Sequence, residues 1–90
     1  MSTVTQIAIW ERLVQPDKPD LAPDVARQFL KMRFSQKDVD RMNALAVKAR
    51  HGSLKPDQKS ELDEYFLAGG ILALMQAKAR LVLADARQAA

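Results

Sequence analysis

His51 is the only histidine of the chain. A single imidazole does acid–base or metal chemistry only with a carboxylate, a nucleophile or further ligands within hydrogen-bond reach. Its place between Arg50 and Gly52, at the end of a helix-patterned segment, suits capping or solvent exposure. The acids Asp57, Glu61 and Glu64 recur at i, i+4 and i+7, so a helix sets three carboxylates in line. Such a line could hold a hard cation, but it lacks the loop oxygens those sites use. A solvated face, or a mate for basic side chains, is the simpler reading. Asp38 and Asp40 fall on different sides of a helix and do not pair. Ser2, Ser35, Ser53 and Ser60 have no nucleophile-elbow context, and Gly69-Gly70 lacks the strand–loop–helix setting of a phosphate loop. With no cysteine, disulfides and thiolate metal sites are excluded. Neither enzyme chemistry nor a cofactor is expected.

The charge pattern offers a binding chemistry instead. Between Arg27 and Lys55 eight Lys/Arg side chains oppose two acids, whereas Asp57 to Glu64 carries four acids against Lys59. A basic middle followed by an acidic turn reads either as a nucleic-acid patch or as two helices whose faces attract. In the first reading Arg27, Lys31, Arg41, Lys48 and Arg50 are the phosphate-contacting candidates. Aromatics for stacking on bases are scarce: Tyr65 lies in an apolar run, and Trp10 in a first helix where core burial is expected.

That apolar run, Tyr65 to Met75, is the strongest signal in the chain. Eleven residues pass without a charge or a side-chain amide, more than one face of an amphipathic helix can bury. They fall short of the ~20 residues that cross a bilayer. The segment calls for protein on more than one side. The expected interface residues are Tyr65, Phe66, Gly69, Leu72 and Met75, with Gln76 and Arg80 as a polar rim. Glu11 and Arg12 stand where a signal peptide needs its apolar core, so the expectation is a cytoplasmic protein that does not engage a membrane.

The elements that must position these residues are helical. Gly and Pro are few, and the composition (48% hydrophobic, 28% charged) is that of a folded domain. A first helix is expected over Val4 to Val14, capped by Thr3 or Thr5, with Ile7, Trp10 and Val14 inward. Three prolines within Gln15 to Pro23 then impose an extended linker. Pro23 opens a second helix with Val25, Phe29 and Met32 inward, closing near Phe34. Ser35 caps a third, which turns Val39, Met42, Leu45, Ala46 and Ala49 inward and stops at His51-Gly52. Pro56 opens a fourth of about 30 residues, roughly 45 Å if unbroken. Gly69-Gly70 either kinks it or admits another helix closely. The expected fold is all-α, with residues 1–20 as N-terminal helix and Pro-rich linker and 21–90 as a helical domain. In it, two shorter helices pack on one long C-terminal helix.

The segment from Phe34-Ser35-x-x-Asp38-x-x-Arg41-Met42 through Lys48-Ala49-Arg50-x-Gly52-x-Leu54-x-Pro56 and Glu61-Leu62-x-x-Tyr65 to Gly70–Arg80 resembles a family of small bacterial all-helical proteins of uncharacterised biochemistry. Its signature reads GTLTPEEQAELDEYLRVG-LLALLQSKAR, and the resemblance spans roughly Leu21 to Leu83. It implies a protein partner, a neighbouring HNH-type nuclease that the chain restrains or assists in an antitoxin-like or accessory role. Lys55 and Ala22 stand where the family carries capping Thr and Ser, each substitution costing about 1 kcal/mol of cap. Gly69 is an extra residue in the apolar run. The combined expectation is a non-enzymatic protein-binding module, a homodimer through the long helix. The alternative is a nucleic-acid-binding accessory module.

Overall fold

Ser2 begins the first helix, ahead of both Thr3 and Thr5, the expected caps: its Oγ accepts from the Thr5 backbone N–H at 3.2 Å. A computed structural model describes residues 2–89, which form α1 (Thr3–Val14), α2 (Pro23–Lys31), α3 (Gln36–Arg50) and α4 (Pro56–Ala89). The fold is all-α with a long C-terminal helix, and no strand occurs among the described residues. Gln15 ends α1 in the left-handed region (φ 53°) and donates its N–H to the Glu11 carbonyl. The proline-bearing linker follows.

Pro23 opens α2 as expected, and Ala22 supplies no side-chain cap. The helix ends at Lys31, three residues before Phe34, because Met32 is extended (ψ 134°). The inward set of α2 is therefore Ala26, Phe29 and Leu30, while Val25 and Met32 stay exposed. Ser35 caps α3 through the Asp38 N–H, and Gly52 makes the left-handed stop at φ 68°. Lys55, which cannot cap α4 with its side chain, has its N–H accepted by Gln58 Oε1 at 3.1 Å. That is half of a capping box.

The helix α4 runs unbroken through Gly69-Gly70 and is the axis of the molecule. Each of α1, α2 and α3 packs on α4, and no two of the three pack on each other. Ile7 lies beside Gly70 and Val14 beside Lys78, so α1 runs parallel to α4. Gln76 reaches Phe29 and Met32, while Tyr65 reaches Asp38 and Glu61 reaches Arg41; α2 and α3 are thus antiparallel to α4, one after the other along it. Small residues allow the closest packing, where Ala26 of α2 meets Ala79 and Val82 of α4, ringed by Leu21, Phe29, Leu30 and Leu83. The apolar run is thereby covered by α1 as well as by the second and third helices. None of α1's own residues is buried, and Trp10, expected inside, is 38% exposed.

The result is a slab of 53 × 28 × 16 Å with a radius of gyration of 16.0 Å, against about 12 Å for a compact chain of this length. Its accessible surface is 6371 Å², about 1,100 Å² more than a globular monomer of the same mass exposes.

The two central glycines do different work. A Cβ on Gly70 would overlap Ile7 Cδ1, whereas one on Gly69 would meet only Phe34 at an ordinary 3.9 Å. Gly69→Ala is therefore expected to stabilise the chain by up to about 1 kcal/mol through helix propensity, a rise of several degrees in Tm. Gly70→Leu is expected to lower Tm and displace α1. Thermal unfolding checks the pair, with fluorescence of the sole tryptophan, Trp10, reporting on α1.

Candidate protein-binding face

The 3.6-residue period of α4 gives it distinct sides. One side, with Leu67, Gly70, Leu74 and Lys78, faces α1; the other, with Tyr65, Gln76, Ala79 and Leu83, faces α3 and α2. Between them Phe66, Ala73, Ala77 and Arg80 fall in register on a third face, and all four are exposed, with Leu81 at its edge. Phe66 is 61% exposed, in the middle of the chain's longest helix. Val4, 79% exposed, lies one turn before Ile7 on α1.

The structure divides the seven residues expected at an interface. Phe66 and Arg80 are on the uncovered face. Leu72 and Met75 are partly buried, with Leu72 in register with Ala79 toward α2. Gly69 borders Phe34. Tyr65 donates its hydroxyl to Asp38 Oδ1 at 2.8 Å and meets Phe34 edge-on, with ring centroids 6.3 Å apart. The hydrogen bond to Asp38, with desolvation, raises the Tyr65 pKa. Gln76 is a cap rather than part of a rim: its Nε2 donates to the Phe29 and Met32 carbonyls at 3.1 and 3.0 Å, satisfying the C-terminal end of α2.

Of the five candidate phosphate contacts, Arg41 and Arg27 are committed within the chain. Arg41 makes a bidentate pair with Glu61, Nε to Oε2 at 2.7 Å and Nη2 to Oε1 at 2.8 Å. Its hydrogen bonds hold the Glu61 carboxyl below the usual carboxylate range. One link of the basic-then-acidic pattern is thus an attraction between α3 and α4. Arg27 pairs with Asp24 on its own helix. Lys31 and Arg50 are exposed, and Lys48 is half-buried. Glu61 being taken by Arg41, the acids Asp57, Glu61 and Glu64 do not act as a set, and among the described residues no group of His, Asp or Glu is arranged to hold a metal ion. His51 is the C-cap residue of α3.

Lys78 lies between Gln76 and Arg80, just beyond the apolar run, where polar side chains could ring an interface, but the structure turns it inward. Its side chain is 11% exposed, paired with Asp20 of the linker and donating to the Val14 carbonyl at 2.7 Å. The hydrogen bond from Lys78 lowers the pKa of Asp20. The signal was present in the sequence, since Lys78 follows Ile71 and Leu74 at i+7 and i+4 on an apolar stripe.

By length and composition α4 is a candidate membrane span: an 18-residue stretch within Pro56–Gln88 has a mean hydropathy of 1.5. The uncharged run alone was too short, but a window of that length admits Lys78 and Arg80. In the folded chain α2 and α3 lie along one side of this helix, with Arg41 on Glu61, Asp38 on Tyr65 and Gln76 on the end of α2.

No protein-family model matches the chain, and no curated protein or solved structure matches it either.

Proposed function

We propose that this chain is a non-enzymatic protein-binding module whose docking surface is the uncovered face of α4, centred on Phe66, Ala73 and Ala77. The observation that carries this reading is the exposure of Phe66 on a face that none of the other helices covers. A phenylalanine buries a large area on docking, and a helix face with small residues beyond it accepts a partner helix at close range. The family resemblance adds a candidate partner, a nuclease encoded nearby, that the module restrains or assists in the cytoplasm. The nucleic-acid reading is weaker, because Arg41 is already held in a bidentate pair by Glu61.

Salt and one substitution test the proposal together. A stoichiometric protein partner should stay bound in about 0.5 M salt, where phosphate contacts are lost. Phe66→Asp should release that partner while leaving the helical circular dichroism unchanged, because Phe66 contributes little to the chain's own core. Leu72→Asp is a poorer probe, since Leu72 faces α2 and its loss disturbs the fold. Retention of the partner by Phe66→Asp, or its loss in salt, overturns the reading.

A further inference from the structure

We propose that the uncovered face of α4 is occupied by a second copy of this chain, the two long helices packing antiparallel about a two-fold axis beside Ala73. This rests on the protein-binding reading and puts a second copy, in place of a nuclease, on that face.

Two observations support a second copy. The first is area: the chain exposes about 1,100 Å² beyond a globular monomer of its mass, and a standard interface takes about 800 Å² from each partner. The second is the symmetry of the face. Phe66 lies seven residues before Ala73, and Arg80 and Leu81 lie seven and eight after it, each about 10 Å along the helix. An antiparallel two-fold therefore sets Phe66 against Arg80 of the partner subunit and Leu81 of the partner subunit, and repeats the same contact at the other end. A guanidinium over a phenyl face is attractive. A parallel arrangement would instead oppose Arg80 to Arg80 of the partner subunit.

Ala73 and Ala77 leave the centre of the face low, between Phe66 at one end and Leu81 at the other. The two copies carry a net charge of +3 each, so added salt screens their repulsion and strengthens the pairing. Binding to phosphates would respond in the opposite sense.

The mass in solution decides. Sedimentation equilibrium of the wild-type chain should give about 20 kDa, twice the 10.1 kDa protomer, and keep that value as salt is raised. Phe66→Asp should sediment as one protomer with its helical signal intact. The chain has no cysteine, so disulfide trapping is free of background. Ala73→Cys, on the axis, should oxidise to a covalent dimer, and Glu64→Cys, on the opposite face, should not. A wild-type mass of one protomer, a dimeric Phe66→Asp, or equal trapping at both cysteines overturns the second-copy proposal. If the wild-type chain is monomeric yet loses another bound protein on Phe66→Asp, this proposal falls and the protein-binding reading stands. If Phe66→Asp alters neither mass nor binding, both fall.

Discussion

Leu45→Ala is expected to remove about 2–5 kcal/mol of stability, from a total on the order of 5–13 kcal/mol for a domain of 90 residues. Leu45 is 0% exposed and, among the described residues, is the only large side chain that is completely buried. It is also the residue that α3 contributes to the interior, and α3 packs on no helix but α4. Collapse around the missing atoms is restricted, because Arg41–Glu61 and Tyr65–Asp38 hold α3 in register on the same stretch of α4. The cavity term should therefore persist. Chemical denaturation would read the loss in midpoint. Hydrogen exchange would show where it falls: amides of α3 should lose protection before those of α2, whose packing on α4 at Ala26, Ala79 and Val82 is untouched. Uniform loss across all four helices would mean that α3 is not a separable unit.

Lys78→Met should destabilise the chain by about 1–3 kcal/mol, because the Val14 carbonyl loses its donor while the methionine keeps most of the buried stem. The greater consequence is local. The Lys78 ammonium holds both the end of α1 and the linker residue Asp20 against α4. No residue of α1 is fully buried, so this anchor works beside the half-buried Ile7, Ile9 and Val14 in keeping α1 docked. Trp10 fluorescence should shift toward that of a solvent-exposed indole at denaturant concentrations where α4 remains helical.

The same pair fixes a pH dependence. Asp20, bonded to Lys78, has its folded pKa below the unfolded value, as has Glu61 bonded to Arg41. Each contributes stability that is present above the unfolded carboxylate range of about 3.9–4.3 and is lost as pH falls through the folded pKa. Acid should therefore release Asp20 and weaken the docking of α1, which keeps its Lys78–Val14 bond, and Lys78→Met should remove the Asp20 share of that acid response. An identical acid titration of Trp10 fluorescence in both proteins would contradict the assignment.

Much of the helical architecture was legible in residue order because its signals are local. Pro23 and Pro56 open helices, Ser35 caps one, and Gly52 ends one, since φ and the first orphan amides depend on immediate neighbours. The departures come from distant parts of the chain. The C-terminus of α2 is satisfied by Gln76, more than forty residues away. Trp10 reads as a core residue from its spacing, but α1 lies at the edge of a slab with nothing outside it.

Residue order by itself determined that the chain is helical, where its helices begin, and that the run from Tyr65 to Met75 exceeds what one buried stripe requires. Periodicity and capping are set within a few residues, so composition and spacing are sufficient for them. Only the tertiary structure decided how that run is shared out. Gly70 admits Ile7, Gln76 caps α2, Leu72 turns toward α2, and Phe66 is left uncovered, because the sides of a long helix are assigned by the elements that come to lie against it. Lys78 shows the same division: its spacing places it on an apolar stripe, but its charge is accommodated there only because the linker brings Asp20 and the end of α1 within reach.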